Sequence, residues 1–188
     1  MNLPKLDDNG TPRLFIRVME RKDLEDLRQM HNRDDVLLKL TDPTHITQVQ
    51  QEAWFNAASS SRNARRYVAH LRGTNEFVGM FRVDNIDFVN GNAFVGCDIL
   101  PAHQRQGYAT EFFTYILNYL FDACRLHRVE LVTLESNTRA IGLYKKFGFV
   151  EEGARRDAVF RDGAYQNLLA MGLLADDWHS KRKNLPHQ

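Results

Sequence analysis

The chain has 188 residues, with 25 Lys plus Arg against 24 Asp plus Glu, for a net charge of +1. Hydrophobic residues make up 43% and charged residues 26%, the proportions of an ordinary globular domain, which excludes a disordered or fibrous chain. Residues 1–100 carry 13 basic and 14 acidic side chains, and residues 101–188 carry 12 and 10. With no basic arm or acidic tail, bulk charge gives no case for nucleic acid or membrane as a main partner.

Met1 to Thr11 is polar and lacks the apolar centre of a signal peptide. No apolar run reaches the roughly 18 residues of a membrane span. The two cysteines, Cys97 and Cys124, form no disulfide framework, so a reducing cytoplasm is the expected location. No histidine pair has the i, i+4 spacing of a metal site, and none has a cysteine partner at zinc spacing. No metal is expected.

In chain order, Arg13 to Val18 alternates as a short strand. Asp23 to His31 reads as a helix, with Leu24, Leu27 and Met30 on one face. A polar loop spans Asn32 to His45, and Thr47 can cap a second helix carrying Val49, Ala53, Trp54 and Ala57. Strands follow at Arg66 to Leu71, Phe77 to Val83 and Ala93 to Leu100. They are separated by turn signals at Gly73-Thr74-Asn75 and Asn90-Gly91. Gly107 to Cys124 is the longest predicted helix. Val129 to Leu134 reads as a central strand, and Asn137 to Phe147 as a helix with Gly148 at its left-handed end. Phe149-Val150 restarts a strand, and Asp162-Gly163 turns the chain toward Leu168 to Leu174. This order predicts one mixed α/β domain over residues 13–178, with residues 1–12 as an extension and 179–188 as a flexible tail.

The stretch from Val95 to Thr110 carries the most chemistry. A predicted strand runs into Gln104-Arg-Gln-Gly-Tyr-Ala109 and then into the longest helix. Unpaired amides at a helix start, and the positive end of its dipole, suit an anion. Gly107 and Ala109 leave the backbone open, and Arg105 adds charge. A pyrophosphate fits this arrangement; the alternative is a glycine placed there only for close packing.

Gln104-x-x-Gly107-x-Ala109, followed by Asn137-x-x-Ala140-Ile141-x-Leu143-Tyr144-x-Lys146-x-Gly148-Phe149, resembles the two acetyl-CoA motifs of the GNAT N-acetyltransferases. Phe160-Arg-Asp-Gly-x-Tyr165-x-Asn167-x-x-x-Met171 with Asp177-Trp178 looks like the C-terminal hairpin of the RimJ/RimL branch. The resemblance covers about residues 13–178. It implies the GNAT fold, with about seven strands in a mixed sheet, splayed central strands and about four helices. It also implies a co-substrate, acetyl-CoA, and an amine acceptor such as a protein N-terminus, an amino sugar or a polyamine.

Carried onto this chain, the resemblance puts Ile99, Leu100 and Pro101 at the edge that pairs with the pantetheine arm. Ile99 or Leu100 would supply the N–H nearest the thioester. Arg105, Gln106, Gly107, Tyr108, Ala109 and Thr110 would wrap the pyrophosphate, and Asn137 and Ala140 would line the arm. Asn137 also reads as an ordinary N-cap. Tyr144 would be the general acid for the leaving thiolate, or would simply pack beside Ile141 and Phe147. RimJ/RimL-type chains often carry an acid two residues before the glycine matched by Gly96; here that residue is Phe94. Asp98 and Glu135 are the remaining candidates for the base, beside a water chain. Cys97 is expected to be inert, so direct transfer is favoured over an acyl-enzyme. In such folds the Asn32–His45 loop and the late hairpin line the acceptor site. Here the loop offers Asp34, Asp35, Asp42 and His45, with Trp54 on the next helix, either to bind a cationic amine or as an ordinary solvated polar loop. The hairpin offers Arg161, Asp162, Tyr165 and Asn167. A non-catalytic acyl-CoA-binding module is the rival reading, and a homo-oligomer is open.

Overall fold

The computed structural model describes residues 10–183. The chain forms β1 (Leu14–Val18), α1 (Leu24–His31), α2 (Asp34–Leu37), α3 (Gln48–Ser60), β2 (Arg65–Leu71), β3 (Phe77–Asp87) and β4 (Asn92–Ile99). Then follow α4 (Tyr108–Asn118), β5 (Arg128–Leu134), α5 (Thr138–Phe147), β6 (Val150–Arg161), β7 (Ala164–Leu174) and α6 (Ala175–Arg182). The seven strands make one sheet in the order β1-β2-β3-β4-β5-β7-β6. The mixed α/β architecture is the expected one.

Alternation along the strands divides the core in two. On one face Phe81, Val83, Ala93 and Val95 meet Phe112, Phe113, Ile116 and Leu117 of α4 and Phe147 of α5. Each of these side chains is at most 2% exposed, and burying one such large apolar group is worth about 1.5–3 kcal/mol. On the other face Val68 and Phe77, with Met80 beside them, meet Leu24, Leu27 and Met30 of α1 and Trp54 of α3. The α1 residues are those whose spacing predicted the helix. Thr47 caps α3 as expected, accepting from the Gln50 amide at 3.2 Å.

Several expectations change. Six helices are present among the described residues rather than about four. A single turn, α2, interrupts the loop expected over Asn32 to His45, because Val36 and Leu37 are buried. The helix expected over Gly107 to Cys124 is α-helical only to Asn118 and ends in a π turn, Tyr119–Ala123. The expected flexible tail does not begin at 179. α6 continues to Arg182, held by Trp178, which is fully buried and donates to Asn118 Oδ1 at 3.2 Å. Arg182 binds Asn118 as well. Residues 1–9 of the expected extension and 184–188 of the tail lie outside the described residues.

The pairing of β4 with β5 creates the site. These parallel strands are in register only at Asn92–Arg128, Ala93–Val129 and Phe94–Glu130. Beyond Phe94 each strand keeps its outer partner, β3 for β4 and β7 for β5. Strands held on opposite sides by twisted neighbours separate, and a wedge opens between residues 95–99 and 131–134.

Candidate active site

The wedge continues into a cleft of about 680 Å³, lined by β4, β5, the 104–110 loop and α5. Leu100 N–H donates to Val78 O at 2.9 Å. Hydrogen-bonded and free pairs alternate in an antiparallel ladder, so Ile99, opposite Gly79, directs its N–H away from β3 and toward the wedge. Of the two expected donors, Ile99 is therefore available and Leu100 is not. Pro101 opens a 3-10 turn, Pro101–His103, and neither it nor Leu100 lines the cleft.

The loop is shaped by backbone that few side chains tolerate. Arg105 has φ 64° and Gly107 has φ 86° as N-cap of α4. The amides of Tyr108, Ala109 and Thr110 open α4 without intrahelical partners, since the first such bond is Glu111 N–H to Gly107 O, at 3.0 Å. Arg105, Gly107, Ala109 and Thr110 line the cleft as expected. Gln106 and Tyr108 do not. Gln106 donates to Ala102 O at 2.8 Å, and Tyr108 packs on His103 and under the Arg13 guanidinium.

Arg139 and Lys146 also line the cleft and were missed from the sequence. Arg139, Ala140, Leu143, Tyr144 and Lys146 recur at helical spacing, a face that was legible once Tyr144 had been singled out. Gln104 ties the two sides together, donating to Ile99 O at 2.8 Å and accepting from Arg139 at 2.7 Å. Asn137 caps α5, accepting from the Ala140 amide at 3.3 Å, and both residues line the cleft. The cap and the lining roles coexist.

Tyr144 is 8% exposed, reaches the cleft and packs edge-on to Phe113 at 5.7 Å. Burial, then the proximity of Cys97 and Asp98, push its phenol well above the ordinary range. The phenol therefore stays protonated throughout the neutral range. Cys97 also lines the cleft, and burial raises its thiol well above the ordinary value. A thiol held protonated is a poor nucleophile.

A second cavity of about 300 Å³ lies between α1, α2, α3 and the sheet. Its wall combines apolar side chains, among them Leu27, Met30, Ile46 and Trp54, with the polar His31, Asp42, Gln50 and Gln51. It shares Val36, Leu40, Thr41, Arg82 and Asp98 with the cleft, so the two chambers meet at Asp98. Asp98 Oδ2 accepts from Arg82 Nη1 at 3.2 Å, with 20% of the Asp98 side chain exposed.

Glu135 is placed elsewhere. Its carboxylate accepts from Asn167 Nδ2 at 2.8 Å, and it lines neither chamber. Of the residues expected around the acceptor, Asp42 and Trp54 line the second cavity and Asp35 the cleft, while Asp34 and His45 line neither. Arg161 is buried and acts as a bolt, donating to Leu40 O at 2.6 Å and Thr41 O at 3.0 Å. It fixes the loop that roofs both chambers. Among the described residues, no cluster of three His, Cys, Asp or Glu could hold a metal ion, and no helix is long and apolar enough to cross a membrane.

Residues 13–150 match the acetyltransferase (GNAT) domain. The chain belongs to the GNAT acetyltransferases. It is 27% identical to the spermidine N(1)-acetyltransferase of Vibrio cholerae over 161 residues, 86% of this chain and 92% of that protein. It is 26% identical to a putative ribosomal N-acetyltransferase of Bacillus subtilis over 189 residues, covering 90% and 95%. Among solved structures, the Vibrio cholerae spermidine N-acetyltransferase in complex with CoA and spermine superposes with a TM-score of 0.83 at 26% identity, covering 88% of this chain and 98% of that one. This GNAT chain is an N-acetyltransferase.

Proposed function

We propose that the protein transfers the acetyl group of acetyl-CoA to a small primary amine by direct attack. The observation that carries this reading is the meeting of the two chambers at Asp98, with a buried phenol, Tyr144, across the wedge. The cleft would take acetyl-CoA, with its phosphates at the α4 amides beside Arg105, Arg139 and Lys146 and its arm along Ile99. The structural neighbour that holds CoA supports this assignment.

The amine would enter from the second chamber. Asp98, directly or through a water, accepts the proton that the nitrogen sheds as its lone pair attacks the thioester carbon. The Ile99 amide steadies the oxyanion. Tyr144 then gives its proton to the sulfur as the C–S bond breaks, leaving free CoA and an N-acetyl amide; Asp98 releases its proton to solvent and solvent returns one to the phenolate.

For the acceptor, the spermidine acetyltransferases among the relatives support a small amine, with polyamines the members their names supply. The putative ribosomal acetyltransferase gives a RimJ/RimL-type protein N-terminus a weaker second place. A thiol-release assay over a panel of amines tests the reading. Expected is CoA release that depends on both acetyl-CoA and amine; tight acetyl-CoA binding with no release for any amine would leave a binding module instead.

A further inference from the structure

Two arginines stand side by side on the floor of the second chamber. Arg66 of β2 lies opposite Arg82 of β3, and Arg82 lies opposite Gly96 of β4. Asp98 is two residues beyond Gly96, so its side chain shares their face. Arg66 is largely committed, donating to Val83 O, Arg65 O and Asp84, with Trp54 over its guanidinium. Its Nε is buried without a partner.

Arg82 is different. Among the described residues its one hydrogen-bond partner is Asp98, although a guanidinium has five N–H donors. It lies over Gly96 so closely that a Cβ there would sit 2.5–2.6 Å from Nε, Cζ and Nη2. It also faces both chambers. A donor-rich cation is thus fixed beside the carboxylate at which the amine reacts.

We infer that the acceptor is an α-amino acid with an apolar side chain, its amine directed to Asp98 and its carboxylate to Arg82. This rests on the amine-acetylating reading above and selects among small amines. An ion pair whose two members face one cavity complements a molecule carrying ammonium and carboxylate a few ångströms apart. A guanidinium holds a carboxylate through paired, charge-assisted bonds, which are about twice as strong as those to a neutral carbonyl. A free amino acid is therefore favoured over a peptide N-terminus. The chamber sets the guanidiniums of Arg66 and Arg82 against the carboxylates of Asp42 and Asp98, a balanced lining that suits a zwitterion and carries no excess negative charge to draw a polycation. Leu27, Met30, Ile46 and Trp54 wall the chamber where the side chain would lie.

The test compares L-phenylalanine, phenylalaninamide, phenethylamine and spermidine as acceptors, with rates corrected for the fraction of unprotonated amine. Wild-type kcat/KM should be at least tenfold higher for phenylalanine than for the other three. Arg82→Met should bring phenylalanine to within about twofold of the amide, through a raised KM for the amino acid. Arg82→Lys should restore part of the preference. Spermidine or phenethylamine as best acceptor, or a preference unchanged in Arg82→Met, overturns the inference and leaves amine acetylation standing. If no amine releases thiol, the transfer reading fails, and calorimetry on the protein with CoA decides the rest. Phenylalanine binding weakened at least tenfold by Arg82→Met supports the pocket assignment; no binding to the wild type refutes it.

Discussion

The guanidinium of Arg82 fills the space into which a Cβ on Gly96 would project. Only a residue without a side chain lets the cation lie on β4 and reach Asp98. Gly96→Ala should therefore act through Arg82. The obstructing atoms are the far end of a long side chain, which can swing away, so the thermal midpoint should fall by only a few degrees. The acceptor kcat/KM should fall about ten- to a hundredfold, the scale of one lost charge-assisted hydrogen bond. Paired melting and steady-state measurements check this; unchanged kinetics would remove Arg82 from the reacting centre.

Tyr144→Phe keeps the packing on Phe113 and removes only the proton donor. Turnover should drop about 100- to 10,000-fold, the range of acid catalysis, with little change in the KM for acetyl-CoA. The phenol is raised above its ordinary value by burial, so it stays protonated through neutral and mildly alkaline pH. The wild-type kcat profile should accordingly show no loss from this group below about pH 10. A full-rate Phe variant would return Tyr144 to the core alone.

Arg139 both lines the cleft and holds Gln104. Arg139→Ala should raise the KM for acetyl-CoA about tenfold and leave kcat within a factor of two. The difference from wild type should shrink with added salt, because exposed charges are screened over about 10 Å at 0.1 M. A kcat effect equal to the KM effect would point instead to a displaced Gln104 loop.

Asp23 anchors α1 away from the chemistry. It is 3% exposed, accepts from Arg17 at 2.7 and 2.6 Å and from the Glu20 amide at 2.8 Å. Burial alone would raise its carboxyl pKa, but the Arg17 and Glu20 bonds together outweigh it, and the net shift is downward. A lowered folded-state pKa gives stability that is complete above the unfolded value, about 3.9, and is lost as pH falls through the folded value. Asp23→Asn should cost about 3 kcal/mol at pH 7 by breaking a buried pair. The gap from wild type should narrow below about pH 3.9. Urea unfolding at pH 7 and pH 3 checks the sign; a gap that widened in acid would contradict it.

Local chemistry and side-chain periodicity sufficed for much of this protein. The stripe at Leu24, Leu27 and Met30 marked α1 because a burial face repeats every turn. Thr47, Gly107, Asn137 and Gly148 marked helix ends because caps and left-handed residues have few chemical solutions. The placement of the Gln104–Ala109 loop and of Tyr144 at the cleft was legible for the same reason: it depends on backbone conformation and on position along one helix. α2 was not legible, since one turn is too short for a periodic signal and forms only because Val36 and Leu37 have a core to enter.

Pairing across the sheet decided the rest. Whether Ile99 or Leu100 offers its N–H depends on which of them faces β3, and that follows from register with Val78 and Gly79. Asp98 and Glu135 were both candidates along the chain; one faces the junction of two chambers and the other is held by Asn167. Arg82 drew no notice in sequence because it is distant in the chain from Gly96 and Asp98. Residue patterns along the chain were enough to mark a GNAT-like strand–loop–helix and a tyrosine on the helix that follows. Which charges share the second chamber follows from strand pairing, because neighbouring strands bring together side chains whose separation in sequence carries no trace of their contact.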